Sequence, residues 1–114
     1  MSWWVYLERD DESVDVTSHQ HGATYCLGGN PSAELNVTYN YGRCWRQHGW
    51  GNLADELDGK TVETTIPELR RMVDMLGTDR TDDYWAATDG NAGYALSILL
   101  SWAEQHPDAT WRVS

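Results

Sequence analysis

Phenylalanine is missing from this 114-residue chain, and cysteine occurs only twice and proline three times. Lysine occurs once, as Lys60. No apolar run approaches the roughly 18 residues that a membrane-spanning helix requires, so a spanning helix is excluded, and a membrane is not expected as a partner. Without Phe, the bulk of a core must come from seven Trp and six Tyr, rings that mostly carry a polar atom to its partner when buried. The amino end, "MSWWVYLERDDE", lacks the basic-then-apolar pattern of a signal peptide. The expected location is therefore the cytoplasm, where Cys26 and Cys44 stay reduced and the Asn36-Val37-Thr38 sequon goes unused.

Basic charge is also scarce. Seven Arg and Lys60 face 18 acidic residues, for a net charge of −10. That balance repels phosphate backbones at long range, so direct binding to nucleic acid is not expected and a basic partner is. The plain alternative is that acidity only keeps a small protein soluble.

The length fits one domain over residues 1–114, able to bury about two thirds of its unfolded surface. No internal repeat, low-complexity tract or linker divides it. Trp3, Val5 and Leu7 alternate with Trp4 and Tyr6, "RDDE" supplies a turn, and Val14 and Val16 alternate again, which predicts an amino-terminal hairpin. Residues 18–33 read as loop with a short strand at 23–27. In "ELNVTYNYGRCW", Leu35, Val37 and Tyr39 alternate with Asn36, Thr38 and Asn40, the period of a strand over 34–39. The spacing then turns helical, with Asn40 placed to cap a short helix whose Tyr41, Cys44, Trp45 and His48 share a face and which the Gly49 and Gly51 pair ends.

The second half predicts helices. Thr65-Ile66-Pro67-Glu68 has capping-box spacing, Ile66, Leu69, Met72, Val73 and Leu76 form an apolar stripe, and Gly77 is the expected stop. A last helix should start near Thr88 or Asp89 and run to about His106, burying Ala92, Ala95, Leu96, Leu99, Trp102 and Ala103, with Pro107 beyond it. "ATWRV" reads as a final strand returning to the amino-terminal hairpin. The fold class is α+β, a small antiparallel sheet packed against two or three helices.

With these elements in view, "LNVTYNY", "GKT", "IPELRRMVDMLG" and "DDYWAATDGNAGYALSILLSWAEQHPDATWRV" together resemble a group of small proteins encoded by bacteriophages and prophages, especially those of actinobacteria. The resemblance touches residues 3–8, 22–41 and 57–114, and "GRCWRQHGWGNLADE" follows the group poorly. It implies a phage origin and carries over no catalytic residue. By analogy of origin, a small acidic phage protein acts by binding, either sequestering a small molecule or blocking a host protein in the host cytoplasm.

Catalytic signatures are weak. His19, His21, Cys26, Cys44 and His48 could offer metal ligands, but their spacing matches no closed zinc pattern and two of them fall on a core face, so no metal and no cofactor are expected. Asp79, Asp82 and Asp83 crowd the loop before Tyr84 and Trp85, and paired carboxylates can divide acid and base roles. Such a loop more often solvates or caps a helix. No nucleophile elbow, phosphate-cradling loop or zinc-protease helix is present, and an enzyme is the less favoured reading.

The polar row remains. Short hydrogen-bonding side chains suit an ordered network that braces Tyr84, Asn91 and the loop before the last helix, or a ligand site. For the ligand, Arg43 and Arg46 add fork-shaped donors, and Tyr39, Tyr41, Trp45 and Trp85 offer ring faces for a base. The candidate ligand-binding set is Asn36, Thr38, Tyr39, Asn40, Arg43, Arg46, Trp85 and Asn91. It describes a non-catalytic module that sequesters a small anionic, nucleotide-like host molecule and so counters a host defence. The alternative is an acidic inhibitor, like a DNA mimic, whose Asp10, Asp11, Glu12, Asp79, Asp82 and Asp83 cover the basic face of a host protein. Self-association into a homo-oligomer is left open by the sequence.

Overall fold

The computed structural model describes residues 1–16, 33–83 and 85–114, together with the backbone of residues 25 and 26. The fold is α+β, an antiparallel sheet packed against helices. Strand β1 (Ser2–Arg9) is its centre. Asp10 and Asp11 take φ values of 54° and 65°, the left-handed pair that a two-residue hairpin turn needs, and return the chain into β2 (Glu12–Ser13). Aspartate tolerates this conformation better than most residues, which explains why "RDDE" makes the turn without glycine.

One edge of β1 pairs with β4 (Glu34–Thr38), in the register Trp3 with Val37 and Val5 with Leu35. Beyond β4 lies β3 (Tyr25–Cys26), within the stretch expected to hold a short strand. The other edge takes β5 (Thr110–Val113), with Leu7 opposite Trp111 and Val5 opposite Val113. Val5, Leu7, Leu35, Val37, Trp111 and Val113 are all buried, so one face of the sheet carries the core. On the opposite face Trp4 and Tyr6 stack at 6.5 Å.

Past Thr38 the strand does not continue. Residues Tyr39–Tyr41 form a 3₁₀ turn that leads into α1 (Gly42–Arg46). The cap is Thr38, whose hydroxyl accepts from the Asn40 N–H, and not Asn40 as the spacing implied. An Asn one position inside the turn has its amide free for a longer contact. Tyr39 consequently leaves the core row and stands 43% exposed, whereas Tyr41, Cys44 and Trp45 are buried as expected.

Helix α2 (Leu53–Leu57) was not expected from the sequence. Its signals are there: the Asn52 side chain accepts from the Asp55 N–H, and Leu53 and Leu57, one turn apart, are buried. Helix α3 (Ile66–Leu76) has its apolar stripe as predicted and ends at Gly77 with φ 74°. Its capping box does not form. Thr65 ends a preceding 3₁₀ turn (Val62–Thr65), so its backbone is already helical and its hydroxyl donates back to the Val62 carbonyl while accepting from the Trp111 indole N–H. Glu68 is then left to hold Arg71 through two 2.9 Å bonds, which lower its pKa. Helix α4 (Asp89–Gln105) starts at a Thr88 cap and buries every residue assigned to its inner face.

The helices meet where side chains vanish. A β-carbon at Gly93 of α4 would lie 1.9 Å from the Gly77 carbonyl oxygen, and one at Gly90 would lie 1.9 Å from that of Asp79. Both glycines therefore set the spacing of α4 against the end of α3 and the loop after it. Within the core, Trp3, Trp45 and Trp50 follow one another at 5.4 Å ring spacings, with Tyr39 4.4 Å from Trp3 at the surface end. Aromatic bulk thus fills the space that Phe would otherwise take. No helix among the described residues is long and apolar enough to cross a membrane.

Candidate functional site

Five of the candidate residues come together. Tyr39, Asn40, Arg43, Arg46 and Trp85, with Ala87, line an open-sided concavity of about 390 Å³. The 3₁₀ turn presents Tyr39 and Asn40, and the next turn of chain, α1, places Arg43 and Arg46 three residues apart on one face. The far wall is the loop before α4. Asn40 ties it down by donating its side-chain amide to the Trp85 carbonyl at 2.8 Å.

Trp85 is 47% exposed, and Tyr39 keeps one side against Trp3 while the rest of its ring faces solvent. Arg43 reaches the Ala87 carbonyl only at 3.5 Å. Arg46 bends back over Gly42, where an added β-carbon would meet its guanidinium at 2.9 Å. Four other arginines are neutralised: Arg9 by Asp108, Arg70 by Glu104, Arg71 by Glu68 and Arg112 by Glu8. A fifth, Arg80, lies over the Tyr94 ring. Among the described residues, Arg43 and Arg46 have no carboxylate within ion-pair distance, although the chain carries 18 acids. Two guanidinium groups without counter-ions beside exposed rings can hold an anionic group and stack a flat ring.

The other three candidates lie elsewhere. Asn36 projects from β4 and donates to the Ser2 hydroxyl and the Trp3 carbonyl, holding β1 to β4. Thr38 is buried as the cap already described. Asn91 is wholly buried: it accepts from the Thr81 N–H and donates to the Thr81 hydroxyl and to the Asp83 and Ala86 carbonyls. Its amide is used up in bracing the loop that carries Trp85. Tyr41 and Trp45, also considered as stacking rings, are buried in the core. Tyr84 lies outside the described residues.

Behind Arg43, the Cys44 thiol is buried, and its pKa is raised by that burial and by the Asp89 carboxylate, against the opposing pull of Arg43. His48 sits 3.8 Å from the same carboxylate. A thiol held neutral is a poor nucleophile and a poor metal ligand. No group of three metal-ligating side chains gathers among the described residues; His19, His21 and the Cys26 side chain lie outside them. Cys44→Ser should therefore leave the fold intact and lower stability by about 1 to 3 kcal/mol for a buried hydroxyl, read by urea denaturation. Unfolding by reductant alone would contradict the free-thiol assignment.

No family model, curated protein or solved structure matches this chain.

Proposed function

We propose that the concavity binds a small anionic ligand bearing a flat ring, of nucleotide type, without chemical conversion. The observation that carries this reading is the pair Arg43 and Arg46, left without carboxylate partners beside the exposed Tyr39 and Trp85. A phosphate takes the guanidinium forks and a base lies against the rings. In a phage-encoded protein, such binding sequesters a host signal and so counters a defence.

Calorimetric titration with nucleoside monophosphates, and with the parent nucleosides as charge-free controls, tests it. Charge-assisted hydrogen bonds contribute roughly 1.5 to 3 kcal/mol each, so Arg43→Ala should weaken nucleotide binding about tenfold or more and leave the melting temperature nearly unchanged. Gly42→Ala makes a finer test. Its φ of −54° suits alanine, but the new methyl group displaces the Arg46 guanidinium, so affinity should fall while the helix is retained. Equal binding of nucleosides and nucleotides would remove the case for the arginines.

A second reading keeps one observation of its own. Asp10, Asp11, Glu12, Asp79, Asp82 and Asp83 are exposed and have no basic partner within ion-pair distance among the described residues. Such carboxylates suit the basic face of a host protein. If neutralising Asp10, Asp11 and Glu12 abolished the effect on host cells while Arg43→Ala did not, the acidic surface would replace the concavity as the working site.

A further inference from the structure

Four deeply buried residues, Trp45, Trp50, Trp102 and Trp111, carry an indole N–H. Trp45 donates to the Ala92 carbonyl at 3.4 Å and Trp111 to the Thr65 hydroxyl at 2.8 Å. Trp50 is only 3% exposed, yet no acceptor among the described residues serves its indole N–H. Leaving such a donor unpaired in the interior costs about 1 to 3 kcal/mol, so an acceptor from outside the chain is expected.

The same ring lines a cavity of about 80 Å³ between α2 and the start of α3, together with Glu56, Leu57, Lys60, Thr64, Thr65 and Glu68. That space well exceeds the roughly 10 to 15 Å³ that one water occupies. Its charges are the informative part. Glu68 is neutralised by Arg71, but Glu56 and Lys60, which face the same cavity, have no ion-pair partner among the described residues and do not pair with each other. One unpaired carboxylate and one unpaired ammonium across a small cavity complement a molecule that carries both charges.

We propose that this cavity is a second binding site, separate from the Arg43–Arg46 concavity, for a small zwitterion of the amino-acid kind. The ligand carboxylate accepts from Lys60 and the Trp50 N–H, and the ligand ammonium donates to Glu56 and the Thr64 hydroxyl. The volume of about 80 Å³, with Leu57 and the Trp50 ring as its apolar lining, suits a short stem better than a bulky side chain.

Titration calorimetry with glycine and alanine, beside acetate and methylammonium as single-charge controls and leucine as a size control, tests the proposal. Glycine and alanine should bind, and the controls should bind at least about tenfold more weakly. Lys60→Met and Glu56→Gln should each weaken glycine binding by a similar factor without lowering the melting temperature, since both side chains are unpaired in the free protein. Trp50→Phe removes the donor together with the five-membered ring of the indole, so it should weaken glycine and acetate alike and leave methylammonium unaffected. If glycine and alanine give no heat at concentrations on the order of 10 mM, the cavity holds water only and the proposal is overturned. Binding that survives both charge substitutions overturns it equally.

Discussion

Gly93→Ala is expected to be among the most damaging single-atom additions this chain can receive. The new β-carbon would stand 1.9 Å from the Gly77 carbonyl oxygen and 2.8 Å from the Leu76 β-carbon. Both obstacles belong to the end of α3, a helix fixed in the core by Leu69, Met72 and Leu76, so the two helices must move apart. Overpacking of this sort costs about 1 to 3 kcal/mol and sometimes more, against a gain near 1 kcal/mol from the better helix propensity of alanine. Because the contact is with backbone, no rotamer change relieves it. That puts the cost at the upper end of the range, and a net loss of roughly 2 kcal/mol should lower the melting temperature by about 10 °C. Gly90→Ala provides the comparison. Its added carbon meets the Asp79 carbonyl, which belongs to a loop, so that substitution should cost less stability and act mainly on the wall of the concavity. Melting curves for the two variants decide the matter: a parent-like curve for Gly93→Ala would mean that α3 and α4 are not packed this closely.

Such tight packing has no signature in periodicity. The apolar stripes of α3 and α4 are legible because burial of one helix face demands them, and so are Gly77 and Pro107 as stops. A glycine inside α4 reads only as a weak helix former until its opposite neighbour is known. The same limit explains the misplaced caps. Thr65 and Asn40 have suitable side chains at suitable spacing, but a 3₁₀ turn precedes each helix and moves the start of helical backbone, handing one hydroxyl to Val62 and one amide to Trp85. Helix α2, at five residues, is too short for a periodic signal and stands on Asn52 and two leucines.

The site was legible in part for a related reason. Tyr39, Asn40, Arg43 and Arg46 are close in sequence, so a turn followed by a helix was enough to place them together. Trp85 joins them through a loop whose course depends on the Asn91 amide, which no pattern reveals. The pairing state of each arginine is likewise a property of the folded surface: among the described residues four of the seven meet carboxylates, three of them across more than 30 residues of chain. Lys60, Glu56 and Trp50 carry no motif at all. They gain meaning only from the cavity that they share.

Asn91→Ala should uncouple the concavity from the rest of the fold. The lost amide holds the Thr81 N–H at 2.9 Å and the Asp83 and Ala86 carbonyls at 3.1 and 3.0 Å, which fixes the loop on both sides of Trp85. Each such bond contributes about 1 kcal/mol net, and partners left buried cost more, so a destabilisation of roughly 2 to 4 kcal/mol is expected. Ring stacking contributes about 1 to 3 kcal/mol per base, so a displaced Trp85 should also weaken nucleotide binding about tenfold or more. Asn91→Asp separates geometry from charge. It keeps an acceptor for the Thr81 N–H but turns a carboxylate toward two carbonyl oxygens in a buried setting, which raises its pKa above the ordinary aspartate value. The introduced carboxyl is therefore least destabilising below the unfolded pKa of about 3.9, and its cost grows as pH rises through the raised folded value, contrary to the usual behaviour of a paired carboxylate. Hydrogen exchange at the Thr81 amide, followed with pH, reads this directly. Protection should vanish in Asn91→Ala and should return on acidification only in Asn91→Asp. Unaltered protection in both variants would mean that the loop, and the wall it gives the concavity, is held by something other than Asn91.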